Sequence, residues 1–228
     1  MKYLVAAALI FLSTNAFAQT VNSVYMDQNG SNSTITITQS GSNNAAGTEL
    51  KNNVFHGNNQ IINISQIGSG NVGDFTIQGD GANLTSNVNG SVNTVTVNCG
   101  TGAGGGAGSS CTDAIVVANV QGGNNSVNTT TGAKSNSSTT IQGDHNTTLI
   151  NNTSNNLLGA VSSISVVGGY NAVNISQDGP AGANGFIASV SVTGSTNTIG
   201  VVQSGSVDSN VQIKSNGSNN TISVHSGN

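Results

Sequence analysis

The sequence is short of almost everything a globular enzyme uses. In 228 residues it has no tryptophan and one proline, and four lysines are the whole of its Lys and Arg count against eight acids; arginine is absent. Each shortage excludes something. So few cations leave no basic patch for nucleic acid. So few charges of either sign leave little like-charge repulsion to keep copies apart. Aromatic residues make up 4% of the chain, too few to fill a wide core, so a thin core of small and β-branched side chains is expected. Apolar residues at helical three-four spacing are missing, and beyond residue 18 no run is long and apolar enough to span a bilayer. Disorder normally goes with high net charge and few β-branched residues. Here Val, Ile and Thr are plentiful and evenly placed, which argues for a folded chain.

Residues 1–18 form a unit of their own. Lys2 gives a positive start, Tyr3 to Leu12 is apolar, and Ala16-Phe17-Ala18 is a small-x-small cleavage site. This is the pattern of a secretory signal peptide, cleaved after Ala18, and its apolar stretch is too short for a membrane anchor. The mature chain, 19–228, keeps three lysines and eight acids, a net charge of −5. It is expected to be secreted, extracellular or on the cell surface, with no membrane insertion.

What is present is a period. Gly57, Gly68, Gly79 and Gly90 stand eleven residues apart, as do the pairs Gly30 and Gly41, Gly132 and Gly143, Gly168 and Gly179, and Gly194 and Gly205. Shortly after many of them comes an asparagine: Asn44, Asn71, Asn93, Asn125, Asn146, Asn171, Asn197 and Asn220. Before the glycines lie alternating runs such as Ile35-Thr-Ile37-Thr-Gln39 and Ile62-Asn-Ile64-Ser-Gln66. Alternation is a strand signal, and Gly, Asn and Ser at its end are turn signals. A short step repeated along the whole chain marks a stacked repeat architecture.

The fold expected is all-β: a β-solenoid of about fifteen eleven-residue strand-turn arms in seven to eight two-strand rungs, a single domain roughly 35 Å long at the usual strand spacing. Side chains two apart share a face, which places Gln28, Gln39, Gln66, Gln177 and Gln203 inward with the Ile and Val residues. A buried amide needs a partner, and the equivalent amide one rung away supplies it, making an inward glutamine ladder. Glycine and asparagine at the corners are expected to supply the positive φ of tight turns. In Gln78-Gly79, Gln121-Gly122 and Gln142-Gly143 the spacer is missing, which moves the glutamine off the inner face. Slips of the period at Ala45 to Asn53, Gly100 to Ser110 and Pro180 to Gly185 read as longer corner loops, and Asn151 to Leu158 as a weak arm.

The motif Gln-x-Gly-x-x-Asn after an alternating Ile/Val run resembles the repeat of bacterial curlins, the subunits of curli amyloid fibres. Gln39-Ser-Gly41-Ser-Asn-Asn44 and Gln66-Ile-Gly68-Ser-Gly-Asn71 carry the likeness best, and it extends from about Val24 to Val224. The resemblance implies a secreted β-solenoid that polymerises end to end as biofilm matrix and leaves through a dedicated outer-membrane pore. Several units lack the glutamine, as at Val166-Val-Gly168 and Val192-Thr-Gly194, which keeps a minor subunit, a nucleator or a divergent relative in view.

Few residues invite chemistry. Cys99 and Cys111, the only cysteines, flank a glycine-rich loop, and in an exported protein they are expected to pair as a disulfide, with two free thiols as the alternative. A metal there lacks third and fourth ligands. His56, His145 and His225 are far apart and read as turn residues. Asp80 and Asp144 follow Gln-Gly and read as Asx-turn residues, since calcium-binding β-rolls need a nine-residue step with several aspartates. Acids spread one per rung do not make a glycosidase pair. No cofactor and no enzymatic activity are expected. Low charge, a lone proline and a C-terminus that is still alternating point to open strand edges and to self-association into fibres. The curlin resemblance implies dedicated outer-membrane secretion and nucleation proteins as partners. The other class of function considered is a monomeric binding module for carbohydrate, ice or a surface, on outward Thr36, Thr38, Thr94 and Thr96.

Overall fold

The computed structural model describes residues 21–47, 55–98, 111–153, 159–179 and 185–227. They form two parallel sheets facing each other across a thin core. The first sheet holds β1 (Ser23–Val24), β2 (Gln28–Asn29), β4 (Ala45–Ala46), β5 (Phe55–His56), β7 (Val72–Gln78), β9 (Thr94–Asn98), β11 (Ser126–Thr130), β13 (Thr147–Asn152), β15 (Ala172–Asp178), β17 (Thr198–Ser204) and β19 (Thr221–Gly227). The second holds β3 (Thr34–Ser42), β6 (Ile61–Ser69), β8 (Asn83–Ser91), β10 (Ile115–Gln121), β12 (Asn136–Gln142), β14 (Ala160–Val167), β16 (Phe186–Ser189) and β18 (Ser209–Gln212). The chain alternates between the sheets, so each strand pairs in parallel with the one a full turn away, as β6 does with β3 and β8. This is the expected β-solenoid. The second sheet has eight strands, one per turn. In the first sheet β1 and β2 share a level, as do β4 and β5. No helix occurs among the described residues, and none is long and apolar enough to cross a membrane.

Alternation decides the faces. In β6 the even positions Ile62, Ile64 and Gln66 are buried while Ile61 and Asn63 are exposed. The core is one side chain deep on each side, and β-branched residues suit its pleated wall. Its largest members, Phe55, Phe75 and Phe186, are fully buried. Phe75 has room because Gly73 lies beside it: a Cβ on Gly73 would stand 2.4 Å from the ring.

The lining changes along the axis. Through β6 to β9 it is mostly Ile, Val, Leu and Phe. At β11 to β14 the inward positions include Thr129, Ser137, Thr139, Thr148 and Ser162. Ser162 Oγ donates to Gln177 Oε1, whereas the hydroxyls of Thr129, Thr139 and Thr148 are buried without a partner. Each such hydroxyl costs about 1–3 kcal/mol relative to a paired one. The middle of the coil therefore depends more on its corners and backbone ladders than the apolar part does.

One sequence expectation fails here. Ala45 and Ala46 do not begin a lengthened corner; they form β4, and Ala46 is fully buried in the column that runs from Val24 through Gly73 to Val95. Alanine lacks the bulk that signals a strand, so the run does not stand out. The expected loop of 100–110 and most of those at 45–53 and 180–185 lie outside the described residues, as do 154–158 of the weak arm; its first part, Asn151 and Asn152, belongs to β13.

Candidate functional site

The most regular feature of the coil is the corner leading from the second sheet back to the first. It has the form Gly-x-x-Asn at every turn: Gly41 to Asn44, Gly68 to Asn71, Gly90 to Asn93, Gly122 to Asn125, Gly143 to Asn146, Gly168 to Asn171, Gly194 to Asn197 and Gly217 to Asn220. Asn22 starts the series. The side chains stack into one unbroken ladder. Oδ1 of each asparagine accepts two hydrogen bonds from the next one: its backbone N–H at 2.9–3.2 Å and its Nδ2 at 2.9–3.3 Å. The other Nδ2 hydrogen reaches the glycine carbonyl one level on, from Asn22 to Gly41 O at 3.0 Å and from Asn93 to Gly122 O at 2.8 Å. The same bond recurs from Asn44, Asn71, Asn125 and Asn146. From Asn44 to Asn197 these amides are at most 2% exposed. A buried amide is tolerable only when its donors and acceptor are met, and the stack meets them.

The glycine of this corner is fixed by its neighbour rather than by the turn alone. A Cβ on Gly41 would stand 1.9 Å from Gly68 O, and one on Gly90 would stand 1.8 Å from Gly122 O. Gly194 shows the point separately. Its φ lies outside the left-handed region, yet a Cβ there would stand 2.2 Å from Gly217 O.

The asparagines correct a sequence expectation. Asn44, Asn71, Asn93, Asn125, Asn146, Asn171, Asn197 and Asn220 do not supply the positive φ. That falls on the residue before each: Asn43, Gly70, Val92, Asn124, His145, Tyr170, Thr196 and Asn219. These are mostly exposed, and so chemically varied, which hid them among loop residues. Of the other glycines expected at turns, Gly30, Gly57, Gly79, Gly143, Gly168 and Gly205 do have positive φ. Gly179 does not; its glycine makes room for Phe186, whose ring carbon is 2.6 Å from where a Cβ would be.

The glutamines make two separate pairs, not one ladder. Gln39 Nε2 donates to Gln66 Oε1 at 2.8 Å in the second sheet, and Gln177 Nε2 to Gln203 Oε1 at 2.7 Å in the first. The first pair ends where Val88 follows Gln66 in register. Gln28 stands over Phe55 but is exposed and donates to Gly30 O, and no strand among the described residues lies above this turn. Gln121 and Gln142 are exposed and Gln78 is half-buried, off the inner face as their missing spacer implies.

The other singled-out residues do not converge. Cys111 is fully buried and disulfide-bonded; the chain's other cysteine, Cys99, lies outside the described residues. His56 Nε2 is 3.5 Å from Asp27 Oδ2, and His145 stacks on Tyr170 with ring centroids 4.7 Å apart. His225 is exposed on β19. Asp80 and Asp144 accept backbone N–H bonds from Asn58 and Gly123, one turn away. They hold neighbouring turns together rather than closing a local Asx turn. No group of three or more His, Cys, Asp or Glu gathers among the described residues.

Sequence reasoning missed Asn22 and Gly217, and it noted Gly122 only as part of a Gln-Gly pair, not as a corner glycine. Reading backward from each asparagine to the glycine three residues earlier finds the two glycines, where counting elevens forward does not.

No protein-family model, curated protein or solved structure matches this chain.

Proposed function

We propose that the protein is a secreted structural subunit that polymerises end to end into extracellular, curli-like amyloid fibres serving as biofilm matrix and in surface adhesion. The observation that carries this reading is the asparagine ladder, continuous from Asn22 to Asn220 and open at both extremities. At the first extremity the Asn22 backbone N–H has no partner among the described residues, and at the last Asn220 Oδ1 has none. One end thus offers a donor and the other an acceptor. Among the described residues, parallel edges without a paired strand accompany them at β3 and β18 and at β1 and β19. Most proteins blunt such edges with charge, proline or a covering element. Here the edge strands β1 to β3, β18 and β19 contain no Asp, Glu, Lys or Arg. Addition of one copy to another extends backbone ladders and the amide stack together, the packing of cross-β fibres.

The curlin-like motif adds the cellular context: export after cleavage at Ala18, a dedicated outer-membrane pore and a nucleating partner. The coil itself has no part in catalysis in this reading. The test is the purified mature chain at neutral pH, followed by thioflavin fluorescence and electron microscopy. Growth into filaments after a lag is the expected result. A chain that stays monomeric at high concentration overturns the reading and favours a monomeric binding module.

A further inference from the structure

How one copy meets the next rests on the end-to-end reading above, and the two sheets constrain it. The second sheet has eight levels; the first has nine, from β1 to β19. Placing β1 of one copy on β19 of another makes the first sheet continuous and leaves the second one strand short at every junction. Inward Val211 and Ile213 of one copy and Ile35 and Ile37 of the next then face a gap one strand high.

The two terminal arms of the first sheet are equivalent in register. Each begins one residue after a ladder asparagine, Ser23 after Asn22 and Thr221 after Asn220. They differ in quality. β19 is seven continuous residues with Ile222 and Val224 turned inward. The first arm has only the two-residue strands β1 and β2, with Val24 48% and Met26 52% exposed and Asp27 following Met26. Its hold on the rest of the coil is the short pairing of β1 with β4 and of β2 with β5, the flanking backbone bonds of Ser23, Tyr25, Asp27 and Asn29, the bond from Gln39 Nε2 to Ser23 O, the His56–Asp27 contact and the Asn22 step of the ladder.

We propose that in the assembled state β19 of one copy displaces the first arm, residues 22–29, of the next and takes its place. Asn220 Oδ1 then receives the backbone N–H and Nδ2 of Asn44 of the next copy, as Asn22 Oδ1 does before the exchange. Thr221 and Ile222 lie against Ala45 and Ala46, the register that Ser23 and Val24 hold within one chain. The edge of β18 is free to meet β3, with Val211 over Ile35 and Ile213 over Ile37. Both sheets run through the junction at eight levels per copy. Within the unassembled chain the first arm covers the N-terminal edge, and growth requires its release.

The experiment uses the full mature chain with two pairs of cysteines, Thr221→Cys with Ala45→Cys and Thr221→Cys with Ser23→Cys, assembled under mild oxidation. Filaments are imaged, and cross-links between isotopically distinct copies are read by mass spectrometry. Adjacent parallel strands bring paired positions within about 5 Å, inside disulfide reach. The expected result is filaments whose inter-copy link is 45–221, with no 23–221 link. Filaments linked through 23–221, or through neither pair, overturn the exchange and leave the end-to-end reading standing. Absence of filaments in both variants and in the parent chain overturns the two together.

Discussion

The two corners of the coil obey different rules. The corner from the second sheet to the first is the same length at every turn and carries the ladder. The corner from the first sheet to the second absorbs much of the variation in length. Between Asn125 and Asn146 a full turn takes 21 residues; between Asn93 and Asn125 it takes 32, with the extra residues lying between β9 and β10. The inner residue of that second corner is Ser33, Gln60, Ala82, Ala114, Ser135, Ala160, Phe186 or Ser209, so no common side chain stacks there. Gln60 Oε1 is even buried without a partner. The contrast teaches where a solenoid tolerates change. A corner whose side chains bond the turn before and the turn after tolerates no insertion, because one displaced amide leaves donors unpaired on two levels. A corner whose side chains bridge only some turns, as Ser31, Asn58 and Asp80 do, accepts a longer loop elsewhere at small entropic cost, since loop closure grows slowly with length.

Four changes break or sharpen this contrast. The largest effect is expected for Gly90→Ala, whose methyl would lie 1.8 Å from the Gly122 carbonyl oxygen at a φ of +140°. A loss of roughly 4 kcal/mol follows from the overlap and the strain together, read from chemical denaturation by circular dichroism. Next comes Asn125→Leu. It strips the acceptor from Asn146 N–H and Nδ2, the donor from Gly143 O and one of the two donors from Asn93 Oδ1, which keeps the backbone N–H of residue 125. The expected loss is about 3 kcal/mol, since buried groups stay unpaired on both sides.

A matched pair of insertions compares the corners directly. Two glycines placed after Asp144, inside Gly143-Asp-His-Asn146, should cost about as much as losing the amide there. The same two glycines after Ala133 should cost less than about 1 kcal/mol. Equal costs would remove the distinction between corners. The smallest effect is a gain. Val92 is exposed and β-branched at a φ of 57°. Val92→Asn should stabilise by about 1 kcal/mol, because asparagine tolerates the left-handed region and valine does not.

Much of the fold was legible because the pleat writes itself into the sequence. Ile35, Ile37 and Gln39 alternate with Thr34, Thr36 and Thr38, and the structure turns the first three inward. The recurring Gly and Asn marked the turns. What stayed hidden was the role of each. Asparagine at a corner looks like a turn former, and only stacking reveals that Asn71 or Asn146 is a buried ladder member while its neighbour Gly70 or His145 takes the strained dihedral. The glutamines misled for the opposite reason. Gln28, Gln39 and Gln66 share one local pattern, yet a ladder needs the same residue at the same height in successive turns. Turn length, which strand alternation does not report, sets that height. The alanine strand β4 was missed because its small side chains lack the apolar bulk by which strands are recognised.

The most direct test of the central claim is fibre diffraction or electron cryomicroscopy of filaments grown from the mature chain. Strands perpendicular to the axis at a spacing of about 4.8 Å, with the asparagine stack running unbroken along that axis, are the expected result. Strands lying along the axis, or filaments whose subunits meet side by side with the coil ends left free, would contradict it.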